Sequence, residues 1–332
     1  MTTNSAFSDL LTRTEVWEGE LKQVIKDELL SLNIVRDVSA GFPDGDLLTI
    51  PSIGDARIDN YVEDTEVTLR PMDTGEFQFS IDEYVSSGTY ITYKNMQDVY
   101  YKEQLMSSFV PKQQRAIMED YESKLFTKAE VVLSAAGANL QAPINGANHR
   151  YAGGGAAGVI ELADFAYAKY ALRKAHMPLN NLIAIVPPEV GFTLETLTSI
   201  VDVSNNKSWE GVIESGLTSG MRFLKNIYGF DVYESNYLPV SGTIVPGMSA
   251  LPDRVGAAAI DFTSVDGRAC HFFSAAPGDT MPFVGAWRQE PLVSSVDVPR
   301  KQRMETFTTA RWAAKLYRPE NMVICHTNIA LA

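Results

Sequence analysis

The sequence is poor in the residue types that most often build redox and metal centres. Its 332 residues include only two cysteines and four histidines. Cys270 and Cys325 lie far apart, without the closely spaced Cys and His neighbours that a zinc site requires. Since no secretory signal is visible, we expect both cysteines to be free thiols in a reducing compartment. The composition therefore argues against a disulfide-stabilised scaffold and against a structural zinc site.

Long apolar stretches are also missing. The longest runs, such as LIAIV at Leu182–Val186, are far shorter than the roughly 18 residues of a membrane-spanning helix. The polar start, MTTNSAFSD, lacks the basic region and apolar core of an export signal. We therefore expect no membrane contact, and a protein that is made in a cytoplasm and stays there.

Catalytic and nucleotide-binding motifs are absent or lack their context. Gly153, Gly155 and Gly158 match G-x-G-x-x-G before a predicted helix. No buried strand is predicted before them, and the segment about 20 residues further on has no acidic residue to bind a ribose. We interpret these glycines as part of a flexible linker over residues 137–158. The scattered histidines are interpreted as surface or packed residues, and we predict no catalytic residue, no cofactor site and no metal site.

Positive charge is scarce as well, since the formal net charge is −13. The first 100 residues carry 19 acids against 7 bases, so nearly all of the excess lies there. Proteins that bind nucleic acid through its phosphates need clustered Lys and Arg. We therefore expect no specific grip on DNA. One basic stretch lies near the end of the sequence and contains Arg300, Lys301, Arg303, Arg311, Lys315 and Arg318.

The hydrophobic pattern predicts several helices. A capping box at Thr12 begins an amphipathic helix that ends near Leu32. A helical segment is predicted from Asn95 to Phe109, followed by a long helix with Pro111 at its first position. Its apolar stripe is formed by Ile117, Tyr121, Leu125, Ala129 and Val132. Shorter helices are predicted over residues 160–175 and 191–198.

Strands are predicted where β-branched and aromatic residues cluster between turn residues. They are LLTIPSIG, NLIAIVPPEV, YGFDVYESNYLP and, after Val255, VGAAAIDF, ACHFFSA, PLVSSVDV, residues 306–317 and MVICHT. Glu234, Ser235 and Asn236 end one of these strands without any catalytic signature nearby. Their polarity is expected to serve a turn or a subunit contact.

A long β-hairpin is predicted between Asp55 and Ser87. Polar and apolar residues alternate over 66–70 and again over 76–82, with the turn PMDTG between them. Its predicted apolar face consists of Val67, Leu69, Phe77, Phe79 and Ile81. Because an isolated two-stranded ribbon is only marginally stable, this face packs either on the sheet of its own domain or on a neighbouring copy of the chain. The pattern leaves both alternatives open.

The order of these parts resembles the major capsid proteins of tailed bacteriophages. The resemblance covers nearly the whole chain. It is carried by the acidic N-terminal region, FPDGDLLTIPSIGDARIDNY before the hairpin, the long helix at Pro111, LIAIVPPEV, GFDVYESNYLP and ARWAAKLYRPENMVI. It implies an α+β fold with an N-terminal arm over 1–45 and an extended loop over 46–94. It also implies a peripheral domain over 95–137 and 261–332, with a long spine helix, and an axial domain over 138–260.

The resemblance implies a structural protein that assembles as hexamers and pentamers of an icosahedral virion shell in the host cytoplasm. The implied partners are other copies of the chain, a portal, a separate scaffolding protein, packaged DNA without specific binding and, as an option, a decoration protein. A compartment shell of the encapsulin type, with enzyme cargo, is the alternative, and a soluble enzyme is a more remote one. Subunit cross-linking through a loop lysine is not expected, because 55–93 contains only Arg57 and Arg70 as cations.

In the family's arrangement the extended loop of one subunit lies across the peripheral domain of the next. The segment Asp55–Glu83 has nine acids against two bases, and Arg300–Arg318 has six bases against one acid. Opposite charges would draw the two segments together. The predicted subunit-interface residues are Val67, Leu69, Asp73, Glu76, Phe77, Phe79, Ile81, Arg300, Lys301, Arg303 and Arg311.

Overall fold

The fold is described from a computed structural model. It describes residues 29–41, 47–53, 58–60, 62–66, 69, 71, 74–98, 102–134, 141–196, 223–241, 250–256, 259–263, 266–278 and 280–329. The predicted amphipathic helix from Thr12 lies almost wholly outside these residues.

The described helices vary widely in length. They are α1 (Ser31–Ile34), α2 (Tyr93–Asp98), α3 (Lys102–Ser134), α4 (Leu162–Lys174) and α5 (Pro188–Thr196). The strands of the first half are β1 (Val35–Asp37), β2 (Leu47–Ile53), β3 (Thr74–Ser80), β4 (Glu83–Thr92), β5 (Pro143–Ile144), β6 (Ala147–Asn148), β7 (Arg150–Ala152) and β8 (Leu182–Val186). Those of the second half are β9 (Phe223–Ile227), β10 (Phe230–Glu234), β11 (Val240–Ser241), β12 (Leu251–Pro252), β13 (Ala259–Ile260), β14 (Gly267–Ser274), β15 (Phe283–Val298), β16 (Arg303–Leu316) and β17 (Met322–Asn328).

A four-stranded sheet has the strand order β1-β15-β16-β4. The long strands β15 and β16 are antiparallel and are joined by a 3-10 turn, Pro299–Lys301, whose cap residue Gln302 has a left-handed backbone. Along β4 the side chains alternate between half-buried and exposed, which is the pattern of a strand with one face on the core. Helix α3 packs on that inner face.

The larger sheet, here called the central sheet, has the order β7-β17-β14-β8-β10-β9, and β11 pairs with β14. All seven residues of β17 are buried. A strand covered on both faces is expected to be apolar throughout rather than alternating, which explains the run MVIC in β17. The covering elements are α4 and α5 on one face and α3 on the other.

Helix α3 is shared between the two sheets. Its buried side chains Tyr121 and Leu125 belong to one continuous core together with Trp312 of the four-stranded sheet and Phe273 of the central sheet. The sequence-predicted apolar stripe of this helix is confirmed, since Ile117, Tyr121, Leu125 and Ala129 are buried and Val132 packs against them. The helix therefore holds both sheets in one packed unit.

Most predicted elements are confirmed, with shifted boundaries. Pro111 lies inside α3 rather than at its start, so the predicted helical segment before it is largely the first part of the same helix. The predicted linker is wrong for its second half, because Arg150–Ala152 forms a buried strand beside β17.

The predicted hairpin pairing is also wrong. Strand β3 pairs with β2, with Leu47 opposite Ser80 and Ile53 opposite Thr74, whereas the prediction paired it with residues 66–70. Alternation identified the strand, but it carries no information on which distant segment supplies the partner. The segment between β2 and β3, residues 54–73, is called the connecting loop below.

The predicted boundary between residues 260 and 261 cuts through the central sheet. Strands β14 and β17 lie beyond that boundary, yet β14 pairs directly with β8. The hydrogen-bonded units are therefore the four-stranded sheet and the central sheet, and the chain leaves the central sheet after β14 and returns to it for β17. We propose this pairing as the basis for dividing the subunit.

Candidate assembly interface

The ribbon of β2 and β3 is fastened to its own subunit through its apolar side. Phe79 is only 1% exposed and packs with Ile81, Val284 and Ala313. Phe77 is half-buried, with its ring 5.0 Å from that of Tyr317. The alternative in which this face packs on its own sheet is therefore the one that the fold shows. Phe79 and Ile81 are not available to a second subunit in this conformation, which corrects their assignment to the interface.

A cation secures the same ribbon. Lys315 of β16 donates a hydrogen bond to the carbonyl oxygen of Gln78 at 3.0 Å, and its ammonium group lies 5.2 Å from the centre of the Phe77 ring. Glu76 is exposed and accepts a hydrogen bond from Gln78. Part of the basic stretch thus already contacts the ribbon within one chain.

The connecting loop presents apolar side chains to solvent. Ile58 is 95% exposed and Leu69 is 91% exposed, and Val62 is also largely exposed. Acidic residues lie close to them in sequence, and Glu63, Asp64 and Glu66 are all exposed. Val67 and Asp73 of the predicted interface lie outside the described residues. A segment that is both acidic and apolar, and whose apolar side chains are this exposed, fits a contact with another molecule.

The turn between β15 and β16 is the most basic exposed point of the four-stranded sheet. Arg300 and Lys301 are exposed in the 3-10 turn. Arg303 is committed within its own chain, because it bonds Glu305 with Nε 2.6 Å from Oε1 and stacks 4.5 Å from the Tyr90 ring centre. We call Arg300 and Lys301 the basic turn.

The outer face of the four-stranded sheet continues from the basic turn. Residues paired across antiparallel strands project to the same side, so Tyr90, Glu305 and Val296 form one row and Tyr84 and Arg311 share another. Tyr84, Tyr90, Leu292 and Val296 are exposed. Arg311 is half-buried in this face. The face combines aromatic and aliphatic side chains with guanidinium groups.

Two acids next to the ribbon are already neutralised inside the chain. Lys124 Nζ lies 3.0 Å from Glu83 Oε2, and Lys128 Nζ lies 3.3 Å from Asp82 Oδ2. Burial alone would raise the pKa of Glu83, but hydrogen bonds from Lys124 and Lys128 outweigh it and lower that pKa. The exposed acids of the described loop residues that remain include Glu63, Asp64 and Glu66.

The structure explains the polar residues at the end of β10. The Ser235 hydroxyl donates a hydrogen bond to Glu122 at 2.9 Å, and the same carboxylate accepts the backbone N–H groups of Leu30 at 2.8 Å and Ser31 at 3.2 Å. Burial raises the pKa of Glu122, although these hydrogen bonds act in the opposite direction. Ser235 Oγ also accepts the backbone N–H of Tyr237 at 3.3 Å, which agrees with the predicted role in a turn. In addition, the Ser235–Glu122 bond joins the chain at α1, helix α3 and the central sheet.

The glycine motif is explained by close packing. A Cβ at Gly153 would lie 2.5 Å from the carbonyl oxygen of Gly158, and one at Gly154 would lie 1.8 Å from Arg254 Nη1. Asp164 accepts the backbone N–H of Gly154 at 3.0 Å and binds Arg254 Nη1 at 2.5 Å. These glycines allow a tight loop to close over a buried carboxylate.

One buried group of charged side chains was not predicted from the sequence. Glu130 Oε2 lies 3.5 Å from Arg150 Nε, and Glu130 Oε1 lies 3.2 Å from His326 Nε2. Burial alone would raise the pKa of Glu130, but His326, Arg150 and His271 outweigh it and lower the pKa to about 2. The one sequence feature that could have indicated this group is that Glu130 and Glu122 flank the apolar stripe of α3. His149, His271 and His326 are packed and His176 is exposed, as predicted for the histidines as a group.

The described residues offer no assembled catalytic or metal site. Among them, no group of three or more His, Cys, Asp or Glu side chains could hold a metal ion. In the same part of the chain, no helix is long and apolar enough to cross a membrane. The features of the described residues that suggest a function are surfaces: the connecting loop, the basic turn and the outer face of the four-stranded sheet.

Comparisons with known proteins agree with this picture. A profile of the family described as phage capsid protein matches residues 76–324. A structure from Mycobacterium phage Che8 is 12% identical with a TM-score of 0.66, covering 95% of this chain and 97% of that one. The cyanophage Pam1 capsid is 13% identical with a TM-score of 0.66, covering 97% and 98%.

The mature capsid of bacteriophage PhiM1 is 12% identical with a TM-score of 0.65, covering 96% of this chain and 93% of that one. No curated protein matches in sequence. At identities this low, the structural similarity establishes the fold alone. The family match extends over most of the chain. The chain belongs to the phage capsid protein family and is a structural component of a virion shell, not an enzyme.

Proposed function

We propose that this capsid protein is the major subunit of a tailed-phage head, and that its copies form the hexamers and pentamers of an icosahedral shell around packaged double-stranded DNA. The observation that carries the proposal is the exposure of Ile58 and Leu69, which are the two most exposed large apolar side chains among the described residues. Apolar side chains left in water at defined positions mark a contact surface. In a shell, the neighbouring copy covers them.

Charge supports the same contact. The connecting loop offers the exposed acids Glu63, Asp64 and Glu66, and the basic turn offers Arg300 and Lys301. Complementary charge steers partners together and fixes their register. We propose that the connecting loop of one subunit lies over the basic turn and outer sheet face of the next. Leu69, Arg300, Lys301 and Arg311 thus stay in the proposed interface, together with Val67, Asp73 and Glu76.

The apolar part of this contact gives the first prediction. The triple variant Ile58→Asp, Val62→Asp, Leu69→Asp is expected to fold with an unchanged urea midpoint, because these side chains are exposed in the single subunit. It should form no closed shells, since three charges would be buried at each contact. Electron microscopy and analytical ultracentrifugation of the purified chain provide the measurement.

Val255→Asp is the matched control, because Val255 is a well-exposed apolar residue outside the connecting loop. That variant should assemble like the parent chain. Normal shells from the triple variant would contradict the proposal, and so would a chain that forms only small oligomers before any substitution is made.

The second prediction concerns the opposite charges of the basic turn and the connecting loop. Arg300→Glu with Lys301→Glu is expected to raise the protein concentration needed for assembly, and to do so most at low salt, where screening is weak. Each exposed pair contributes only about 0–1 kcal/mol, but the contact repeats in every subunit. Adding Glu63→Lys and Glu66→Lys should restore part of the loss. Light scattering against protein concentration at two ionic strengths measures the effect.

The control for net charge is Arg173→Glu with Lys174→Glu, two exposed residues of α4, which packs on the central sheet. It changes the formal charge equally and should leave assembly unchanged. If the loop substitutions add to the defect of the basic-turn variant instead of relieving it, the two segments do not meet.

The remaining partners follow from a head that is filled with DNA. We propose a separate scaffolding protein, a portal and assembly in the host cytoplasm, with an optional decoration protein. The net charge of −13 supports a wall that does not bind the packaged duplex specifically. The family match supports a phage head over the alternative of an enzyme-filled compartment.

A further inference from the structure

Four ionisable side chains are buried together between the long helix and the central sheet. They come from four separate elements: Glu130 from α3, Arg150 from β7, His271 from β14 and His326 from β17. None is more than 1% exposed. We call them the buried cluster. A subunit whose shell function needs only surfaces has no evident use for two imidazoles here.

Within the buried cluster the carboxylate of Glu130 lies between a guanidinium and an imidazole. Glu130 Oε2 is 3.5 Å from Arg150 Nε, and Glu130 Oε1 is 3.2 Å from His326 Nε2. The ring of His271 lies 5.2 Å from that of Phe126, one turn earlier on α3. Among the described residues, neither ring nitrogen of His271 has a hydrogen-bond partner.

The surroundings of His271 are otherwise apolar. Strand β8 places Ile185 directly beside it in register, and β17 places Ile324 on its other side. The charged or titratable groups that act on it are Glu130 of α3 and His326 of β17. Burial lowers the pKa of His271 to about 4, although Glu130 acts in the opposite direction.

The charge balance of the buried cluster depends on its protons. With His271 neutral, the carboxylate of Glu130 has the guanidinium of Arg150 as a counter-charge. A proton on His271 would add a positive charge to this fully buried cluster, where a charge that lacks its own partner is strongly unfavourable. An open arrangement, in which α3 moves away from the sheet, would let water reach the imidazolium.

We propose that the buried cluster is an acid-sensitive lock between helix α3 and the central sheet, closed while His271 is neutral and released when His271 takes up a proton. The first half of α3 stays on the four-stranded sheet, where Gln113 bonds Thr308 and Tyr121 packs on Trp312. Release would therefore loosen the second half of the helix, whose remaining ties to the four-stranded sheet region are the ion pairs of Lys124 and Lys128 with Glu83 and Asp82. This device concerns the single subunit and holds whether or not the proposed shell contacts are correct.

The direction of the pH dependence follows from the pKa of His271 in the closed and open states. The open or unfolded chain binds a proton at His271 near the ordinary value of 6.5, and the closed state binds it only near 4. The closed state is therefore fully favoured above pH 6.5 and loses its advantage as the pH falls towards 4. Between these values, the ratio of closed to open states falls about tenfold for each pH unit.

The first test measures the histidines of the unaltered full chain. Deuterium exchange at the imidazole C2 position, followed by mass spectrometry, reports the titration midpoint of each histidine. We expect a midpoint for His271 near 4, with the exposed His176 as the reference for free exchange. A midpoint for His271 at or above its ordinary value would overturn the proposal.

The second test follows the helix. Amide exchange is compared at about pH 7 and about pH 5, after correction for intrinsic rates, for the two halves of α3. The half from Ser123 to Ser134 should exchange faster in acid, and the half before it should not. His271→Phe, which loses no hydrogen bond and sits beside Phe126, should abolish the acid response.

An equal acid response in His271→Phe and in the parent chain would refute the lock, as would acceleration in both halves of the helix. If His271→Phe fails to fold, His271→Gln, which stays neutral at every pH, takes its place with the same expected result. His176→Asn is the control variant, because His176 is an exposed residue with a left-handed backbone that asparagine tolerates. It should keep the full acid response.

Discussion

Replacing Arg150 with methionine is expected to lower the free energy of unfolding by about 3–5 kcal/mol, because the change leaves a buried carboxylate without its permanently charged partner. Arg150 is completely buried, and its Nε lies 3.5 Å from Glu130 Oε2. Urea unfolding of the purified chain near neutral pH measures the loss. The deficit should shrink in acid, since Glu130 can then be neutralised by a proton.

The double variant Arg150→Met, Glu130→Met separates charge from packing. Removing both partners takes away the unpaired charge, so this chain should be clearly more stable than Arg150→Met alone. Arg115→Met is the matched control, because Arg115 forms a half-exposed pair with Glu119 one turn along the same helix. It should cost no more than about 0.5 kcal/mol. A loss of under about 1 kcal/mol in Arg150→Met would mean that the buried pair is not what holds β7 in place.

Phe79→Asp is expected to unfold the subunit or nearly so. Truncating a buried phenylalanine costs about 3–5 kcal/mol, and a carboxylate in the same site adds the cost of burying an unpaired charge. Phe79 is 1% exposed and packs against Val284, Ala286 and Ala313 of the four-stranded sheet of its own subunit. Chemical denaturation monitored by circular dichroism measures the change.

Leu69→Asp is the control for Phe79→Asp, since the same kind of side-chain change falls on a residue that is 91% exposed. Its unfolding midpoint should match that of the parent chain. If Phe79→Asp instead gave folded subunits with an unchanged midpoint that failed to close into shells, Phe79 would belong to a subunit contact after all. The two outcomes differ in folding, so the test does not depend on assembly alone.

The contrast between Phe79 and Leu69 shows where reasoning from sequence ends. Both residues lie in alternating segments, and alternation identifies a face without saying what covers it. The strand at 74–80 was predictable from its own residues, whereas its pairing with Leu47–Ile53 depends on contacts across the connecting loop. Residues 66–70 alternate equally well, so local pattern could not choose between the two partners.

Helix α3 was predictable because its apolar stripe repeats every three to four residues over several turns. The extension through Pro111 was not, since proline usually begins a helix or breaks it. The buried cluster could not be predicted from the sequence for another reason. Arg150 follows a Gly-rich and Asn-rich segment that resembles a linker, and its partner Glu130 is 20 residues away. Only the fold brings β7 beside β17 and places both under α3.

The candidate interface was predicted in outline. The opposition of an acidic segment and a basic one was visible from composition, and Arg300 and Lys301 are exposed as the hypothesis requires. What composition could not show was internal pairing. Lys124 and Lys128 already neutralise Glu83 and Asp82, and Arg303 is bound to Glu305. Counting charges along a segment therefore overstates the charge that is available to a partner.

The position of β17 in the central sheet has a consequence for synthesis. This strand follows every other described strand in chain order, yet it lies between β7 and β14 and all of its residues are buried. A chain that stops before Met322 would leave both neighbours with bare edges and the site of Glu130 open to water. Translation must therefore pass β17 before the subunit can complete its fold. We therefore expect products truncated before Met322 to be excluded from a growing shell because their subunit fold is incomplete.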